Sequence, residues 1–219
     1  MSWQVEALLA GRPQPFRGAE LSAFAKEPLP GAVHIGPEGL EGDHQADRKH
    51  HGGVQMAVHL YPLDHHDFWR NELGGHELLA LPGAFGSNLA VRGIDETAVR
   101  IGDRFRLGSA LIEVSQPRMP CWKIEHRFGR KGMVAAIIKN ARCGWYFRVI
   151  EQGAAQAGDT LERVECDRTE WTLAEVFSEI ANPEAATSAQ RLLAMSACEL
   201  LAPQWREKAR KKAEALVGA

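Results

Sequence analysis

A cysteine in a stiff, proline-bounded turn is the residue of this sequence with the clearest capacity for chemistry. Cys121 ends a stretch that begins at Pro117 and contains two prolines within four residues. Proline fixes its own backbone and holds the preceding residue extended, so a rigid extended turn is expected here. Arg118 and Lys123 flank the thiol. Nearby positive charge favours the thiolate, which is the form that attacks an electrophile or binds a metal.

The alternative for Cys121 is a buried structural cysteine beside two surface cations, because free cysteine is among the most buried residue types. The double-proline frame favours a ligand or nucleophile, since rigidity helps to hold such a group in place. The other cysteines, Cys143, Cys166 and Cys198, are widely spread and form no CxxC pair. This spacing argues against a disulfide framework, a zinc ribbon or an iron–sulfur cluster.

Three glycine-containing stretches could present backbone N–H groups to a ligand. The first runs from Gly36 to His44 and includes Asp43, the second runs from Lys49 to Gly53, and the third, a small polar loop, runs from Ala84 to Leu89. Glycine allows close approach of the backbone to a ligand, and clustered N–H groups can bind an anion. Most such stretches are only turns, so the pattern by itself leaves both interpretations open.

Histidines near these stretches raise the question of a metal site. The four that lie closest lack HExxH or any comparable spacing, so the sequence gives little support for zinc: His44, His50, His51 and His59. A helix is predicted to begin after Pro62, and its His65 and His66 are expected at the surface.

Composition places the chain among ordinary globular proteins. It has 219 residues, a formal charge of −2 and 45% hydrophobic residues. The near-neutral charge gives no support for a nucleic acid or a membrane surface as partner. There is no basic, apolar leader at the N-terminus and no apolar run of about 18 residues, so we expect a soluble cytoplasmic protein with reduced thiols.

Short apolar runs punctuated by glycine and proline predict a mostly β first part with two interrupting helices. Many short strands of this kind are typical of a closed barrel or a sandwich. One helix is expected after Pro62, and the other near Gly132 to Asn140. The predicted strands are Trp3 to Leu9, Ala32 to Ile35, Met56 to Tyr61, Val99 to Ile101, Phe105 to Leu107, Ala110 to Val114, Trp145 to Ile150 and Thr160 to Val164.

The pattern becomes helical after about residue 166. Thr172 and Glu175 form a predicted capping box, and two further helices are expected near Ser188 and Pro203. We therefore predict a barrel domain over residues 1–166 and a small three-helix domain over residues 167–219. The basic last helix is interpreted as a solvated face, with contact to a nucleic acid or an acidic partner as the alternative. The apolar stripes of the three helices are expected to pack on each other, on the barrel or on a second copy of the chain.

Five short motifs occur in order along the chain: Gly39-Leu-Glu-Gly-Asp43, His51-Gly-Gly53, Gly86-Ser-Asn-Leu89, Gly102-Asp-Arg-Phe-Arg106 and Val114-Ser-Gln-Pro-Arg-Met-Pro-Cys121. With this ordered set the sequence resembles the MOSC domain, named for the C-terminal domain of molybdenum cofactor sulfurases. More closely it resembles the bacterial YiiM group, which confers resistance to 6-N-hydroxylaminopurine and in which a "3-alpha" domain follows the barrel. The resemblance covers nearly the whole chain. Val54 departs from it, standing where proline is expected after His-Gly-Gly.

The resemblance implies a MOSC-type mixed β-barrel that binds a molybdenum cofactor, a pterin dithiolene with a phosphate tail. The residue that matches the family's metal-binding cysteine is Cys121, and a soft sulfur donor suits such a centre. Cations and backbone N–H groups would hold the phosphate and pterin, and Asn88 or His51 would contact the pterin or the substrate. The candidates for cofactor binding are Asp43, Lys49, Gly52, Gly53, Gly86, Asn88, Arg118 and Lys123.

The implied activity is molybdenum-dependent reduction of N-hydroxylated compounds to the amine or amidine. His51 or His59 would supply the proton for the leaving oxygen, because a histidine titrates near neutral pH. Since nothing in the sequence resembles a flavin site, a separate reductase is the expected electron donor. Two alternatives remain: a cofactor or sulfur carrier using Cys121 as a persulfide, and a metal-free Cys–His transferase or hydrolase.

Overall fold

The computed structural model describes residues 1–44 and 52–218. The strands are β1 (Ser2–Gly11), β2 (Gln14–Arg17), β3 (Glu20–Ser22), β4 (Lys26–Pro28), β5 (Val33–Gly36), β6 (Gly39–Leu40), β7 (Val58–Pro62), β8 (Leu89–Val91), β9 (Arg104–Leu107), β10 (Ala110–Pro117), β11 (Trp145–Glu151), β12 (Gly153–Ala155) and β13 (Thr160–Glu165). The helices are α1 (Asp64–Leu73), α2 (Trp122–Phe128), α3 (Met133–Asn140), α4 (Leu173–Ala181), α5 (Ala189–Ala197) and α6 (Pro203–Val217).

Seven of the described strands close into a barrel. Around the ring the order is β13, β9, β10, β11, β7, β8 and β1, and β1 completes it by pairing with β13. Strands β7 and β8 run parallel, whereas the other neighbours in the ring are antiparallel. The fold class predicted from the sequence, a mixed and mostly β barrel followed by three helices, is confirmed.

The parallel pair needs a crossover connection, because a tight turn can join only antiparallel strands. Helix α1 supplies that crossover, followed by a short 3-10 helix at Glu77–Ala80. Gly74 ends α1 in the left-handed conformation with φ 68°, which a residue without Cβ adopts at little cost. The crossover brings the loop before β8 back to the end of the barrel where β10 finishes.

One hydrophobic core runs through the barrel and into the C-terminal helices. Phe105 and Val114 in the barrel belong to the same buried cluster as Phe177 in α4 and Trp205 in α6. Strand β10 is buried along its whole length, since α4 packs against it in addition to its strand neighbours. The division into two domains at residue 166 stays a prediction.

The predicted signals for the three C-terminal helices are present. The Glu175 backbone N–H donates to Thr172 Oγ1 at 3.2 Å, and the Thr172 N–H donates to Glu175 Oε2 at 3.0 Å, which completes the capping box. Ser188 caps α5, and Pro203 occupies the first turn of α6. No helix within residues 1–44 and 52–218 combines the length and the apolar character needed to cross a bilayer.

Residues 99–101 do not form the predicted strand. Arg100 makes a single bridge with Thr172, and the Ile101 N–H donates to the carbonyl oxygen of Trp171 at 3.0 Å. This segment is therefore held by the chain that leads into α4 rather than by the barrel. Its apolar residues are buried, which explains why the pattern looked like a strand.

Helix α2 begins directly after Cys121, where sequence reasoning expects only an extended turn. Pro117 and Pro120 lie before the helix, so neither interrupts its hydrogen bonds. Ile124 and Phe128 are buried at i,i+4 spacing, and Gly129 ends the helix with φ 59°. These two signals could have indicated the helix.

The prediction that His65 and His66 lie at the surface is wrong. His65 Nε2 is 2.7 Å from Glu96 Oε2, and His66 Nδ1 is 3.2 Å from the carbonyl oxygen of Leu79. Both histidines are buried. Their partners are 31 and 13 residues away in sequence, so local pattern could not reveal that these polar rings would be satisfied in the interior.

Candidate functional site

An open cavity, in which the protein encloses about 100 Å³, lies where β10 ends and the chain passes through the proline turn into α2. Residues of β7, of the loop before β8 and of the loop between β3 and β4 form other walls. Eight residues predicted from the sequence line the cavity: Asp43, Gly52, His59, Gly86, Asn88, Arg118, Cys121 and Lys123.

Cys121 is half-buried and occupies the position immediately before α2, with an extended backbone at φ −133°. Its thiol is free and opens on the cavity. Cys143 differs, because burial and the nearby Glu96 carboxylate raise the pKa of its thiol well above the ordinary value. The described residues contain no group of three or more His, Cys, Asp or Glu side chains that could hold a metal ion.

Arg118 carries a charge into the cavity from a buried position. Its backbone N–H donates to the carbonyl oxygen of Gly144 at 2.9 Å, and its guanidinium carbon is 5.5 Å from the ring centre of Phe24. The side chain is 5% exposed, yet its Nη1 has no hydrogen-bond partner among the residues that the structure describes. A buried charged donor without a partner costs free energy, so this atom is suited to an anionic or carbonyl acceptor that enters the cavity.

His59 is held as a neutral hydrogen-bond acceptor. Its Nδ1 is 3.1 Å from the carbonyl oxygen of Gly86, which can only accept, so Nδ1 carries the proton. Burial, reinforced by the charge of Arg118, lowers the pKa of His59 well below its ordinary value of 6.5. The ring packs against Tyr146 at 4.8 Å, and Nε2 has no partner in the described part of the chain. A neutral His59 disfavours the predicted role of proton source.

Asp43 and Asn88 brace the cavity wall through contacts within the protein. Asp43 Oδ1 accepts from the Gly11 N–H at 2.8 Å, while Oδ2 accepts from Lys26 Nζ at 2.6 Å and from Asn88 Nδ2 at 2.8 Å. Asn88 also accepts from the His59 N–H and donates to the carbonyl oxygen of Leu9. These contacts join the glycine-dense loop to β1, β7 and β8.

The remaining predicted residues differ in their placement. Lys123 lines the cavity, with its Nζ 3.7 Å from Glu20 Oε1. Gly86 has φ 75°, and an added Cβ would lie 3.0 Å from the Phe24 ring, so glycine allows this close approach. Gly52 lines the cavity, whereas Gly53 is not among its lining residues. Lys49 and His51 lie outside the described residues.

Sequence reasoning missed two polar groups in the cavity. Lys26 comes from the very short strand β4, and burial lowers the pKa of its amine although Asp43 opposes that shift. Burial raises the pKa of Tyr146, while Arg118 opposes the shift through its charge and a hydrogen bond. No local motif marks either residue. Among the described residues, the cavity thus gathers three cations, one carboxylate that already contacts Lys26, and a free thiol.

Comparisons with known proteins agree with this architecture. Residues 47–162 match the model of the MOSC domain family. YflK of Bacillus subtilis (strain 168) is 38% identical over 224 residues, covering 98% of this chain and 96% of that protein. Protein YiiM of Escherichia coli (strain K12) is 38% identical over 154 residues, covering 70% of this chain and 69% of that protein.

A protein of Gibberella moniliformis (strain M3125 / FGSC 7600) named "Reductase" is 37% identical over 161 residues, which are 73% of this chain and 28% of the fungal protein. Among solved structures, YiiM from Geobacillus stearothermophilus superposes with a TM-score of 0.78 at 27% identity. The match covers 96% of this chain and 99% of that one.

Proposed function

Because the chain belongs to the MOSC domain family and to its YiiM group, we propose that it is a molybdenum cofactor-dependent reductase of N-hydroxylated compounds. The family supports a function related to the molybdenum cofactor, and the relative named "Reductase" supports an enzyme. The overall change would be R–NHOH + 2e⁻ + 2H⁺ → R–NH₂ + H₂O. A planar N-hydroxylated base such as 6-N-hydroxylaminopurine is the proposed substrate.

The observation that carries the proposal is a free thiol in the same cavity as a buried arginine, one of whose nitrogens has no partner among the described residues. Cys121 supplies a soft sulfur donor, and the Arg118 Nη1 has no partner among the described residues. Lys26 and Lys123 line the same cavity. This donor set fits a cofactor that combines a thiol-binding metal with an anionic phosphate tail and a pterin rich in acceptors.

We assign a separate role to each of these residues. When bound, the cofactor supplies the two electrons that break the N–O bond. Cys121 would hold it through sulfur, and Arg118 with the two lysines would bind its anionic and carbonyl groups. The lone pair of His59 Nε2 would accept a hydrogen bond from an N–H or O–H of the substrate and orient it.

The test is a reductase assay combined with metal analysis. The protein is purified from a host that makes the cofactor, and conversion of 6-N-hydroxylaminopurine to adenine by reduced methyl viologen is measured per molybdenum. Cys121→Ser should reduce the rate to background, because it replaces a soft ligand by a harder and far less acidic one. Cys166→Ser and Cys198→Ser are the matched controls and should retain the wild-type rate.

Two results would overturn parts of this proposal. Wild-type turnover by Cys121→Ser would remove the ligand assignment. A wild-type protein that carries no molybdenum and reduces no N–O bond would remove the reductase. In that case, release of thiocyanate on treatment with cyanide would support the carrier alternative, in which Cys121 bears a persulfide.

A further inference from the structure

Positive charge is concentrated in residues 118–142, a segment that contributes residues to the cavity and forms helices α2 and α3. Residues 118–142 contain seven of the chain's 26 Lys and Arg residues and one of its 28 Asp and Glu residues. The remainder of the chain therefore carries an excess of acidic residues, although the formal charge of the whole is only −2. Such separation of charge creates a local positive potential that the net charge conceals.

The cations of this segment differ in their exposure to solvent. Arg118 and Lys123 are buried and line the cavity. After α2 ends at Gly129, Arg130 and Lys131 are exposed. The seven residues of α2 span about 10 Å at 1.5 Å per residue, so the exposed pair lies roughly one short helix away from Cys121.

Two further arginines contact aromatic side chains of the cavity wall and of α2. The Arg127 Nε donates to the carbonyl oxygen of Ala84 at 3.2 Å, and its guanidinium carbon lies 5.9 Å from the ring centre of Phe24, which lines the cavity. Arg17 lies over the Trp122 ring at 4.0 Å. Arg17, Arg127, Arg130 and Lys131 are named here the α2 basic surface.

Nearby carboxylates offset only part of the charge of this surface. Glu125 Oε1 accepts hydrogen bonds from the Gly132 and Val134 N–H groups at the start of α3, at 2.8 and 3.2 Å. Glu20 is shared between Arg17 at 3.5 Å and Lys123 at 3.7 Å. Arg130 and Lys131 form no ion pair with any residue in the described ranges. Their charges are therefore free to act on an approaching molecule.

We propose that the α2 basic surface docks an acidic redox protein that delivers electrons to the cavity. This inference rests on the proposed function, in which each turnover needs two electrons from a separate donor. A donor with a negatively charged face around its redox group would be steered to the α2 basic surface and held beside the thiol of Cys121. Complementary charge of this kind raises the association rate, and salt weakens it.

A flavodoxin is a suitable probe, because it is a small acidic flavin protein that donates one electron at each encounter. Two encounters per turnover supply the two electrons, and two protons come from solvent. The flavodoxin is kept reduced by NADPH and its reductase. The double variant Arg130→Glu with Lys131→Glu should lower the flavodoxin-driven rate at low ionic strength by about tenfold or more.

A control on another surface separates this local effect from the change in net charge. Lys208→Glu with Lys211→Glu on α6 changes the same number of exposed charges, and neither lysine lines the cavity. The control variant should keep the flavodoxin-driven rate within about twofold of wild type. Raising the salt concentration should slow the wild type and the control, and should change the α2 variant much less.

Reduced methyl viologen distinguishes docking from effects on the substrate. With this small radical cation as donor, Arg130→Glu with Lys131→Glu should be at least as fast as wild type. An equal loss of rate with viologen would mean that the surface attracts substrate or supports the cavity, and would overturn docking. An unchanged flavodoxin-driven rate would overturn docking as well. If the variant with that unchanged rate lost binding to single-stranded DNA, the surface would bind nucleic acid instead of a redox protein.

A binding measurement keeps this inference separate from the proposed function. Titration of oxidised flavodoxin into the wild type should show salt-sensitive binding that the α2 variant loses and the α6 control retains. If reduced viologen drives no N–O reduction by the wild type, the proposed function is wrong. The titration then still decides whether the α2 basic surface docks flavodoxin. Equal binding by all three proteins would overturn the docking surface while leaving the reductase untouched.

Discussion

Arg118 is a residue whose placement favours ligand binding over the stability of the protein alone. Its side chain is buried with one nitrogen unpartnered among the described residues, which is costly without a ligand. Replacing this side chain by an apolar one of similar length removes the cost of burying the unpartnered polar group. We therefore expect Arg118→Met to leave the free energy of unfolding of the molybdenum-free protein unchanged or raised, as measured by denaturant titration.

The same substitution should lower cofactor retention. A hydrogen bond to a charged group contributes about 1.5–3 kcal/mol, which corresponds to a loss of affinity of about tenfold or more. Molybdenum and pterin per protein are measured after dialysis. Arg130→Met, which removes an exposed cation near the cavity, is the control and should retain its cofactor. A destabilised Arg118→Met variant with full molybdenum content would contradict this account.

His59 makes stability depend on pH in a definite direction. Its pKa in the folded protein lies below the ordinary value of 6.5, mainly because of burial. Between the folded pKa and 6.5 the unfolded chain binds more protons than the folded protein does. The stability that neutral His59 contributes is therefore present above pH 6.5 and is lost as pH falls toward the folded pKa. Burial also lowers the pKa of His66, which acts in the same direction.

His59→Gln should weaken this pH dependence, because it removes one of the two groups. The free energy of unfolding of the molybdenum-free protein is measured between about pH 7 and pH 5, where one histidine contributes up to about 1.4 kcal/mol per pH unit. His34→Gln, at an exposed site, should leave the slope unchanged. An NMR titration that found His59 protonating near its ordinary pKa would refute the assignment of a neutral ring.

At the scale of elements, one buried carboxylate joins the barrel to the segment that leads into the helices. Glu113 on β10 is 2% exposed and contacts Arg104 of β9, Arg148 of β11 and Arg168 beyond the barrel. Arg148 also donates to the carbonyl oxygen of Leu200, in the turn before α6. The helical segment is thus attached by charge-assisted hydrogen bonds as well as by apolar packing.

Glu113→Gln should destabilise the protein by about 2–4 kcal/mol, because it leaves three arginines without their shared counter-charge. The measurement is the midpoint of urea unfolding. Glu162→Gln on the exposed side of β13 is the control and should shift the midpoint little. A midpoint for Glu113→Gln that equals the wild type would mean that water replaces the carboxylate at no cost.

At the scale of the whole molecule, the barrel and the C-terminal helices bury one continuous core. The backbone is also shared across it: the Leu173 N–H donates to the carbonyl oxygen of Val99, and the Ala202 N–H donates to that of Ser115. If residues 1–166 are a domain in the strict sense, they should fold alone. The shared core favours the opposite outcome.

We expect a chain that ends at residue 166 to lose fixed tertiary packing, because the deletion uncovers apolar residues of β10 and of residues 99–101. Near-ultraviolet circular dichroism and size-exclusion chromatography provide the measurement. The full chain with Leu193→Ser, a half-exposed position on α5, is the control and should remain folded. A truncated chain with a native near-ultraviolet spectrum would support the division into two domains.

The sequence by itself determined the family, the kind of fold and the place of the central thiol. The ordered motifs and the proline turn before Cys121 are local features, and local chain stiffness does not depend on the rest of the molecule. The capping box at Thr172 is likewise a contact over three residues, so it could be predicted and is found.

Only the tertiary structure decided what the other polar residues do. Asp43 meets Lys26 and Asn88 across separations of 17 and 45 residues, so its carboxylate braces the wall, and its role toward a cofactor stays a prediction. Tyr146 enters the cavity because β11 pairs with β10 and β7 in the ring, and Lys26 enters it because β4 pairs with the end of β1. Which groups become partners, and which stay unpartnered in the interior, depends on the tertiary structure, because paired strands such as β1 and β13 lie at opposite ends of the barrel segment in the sequence.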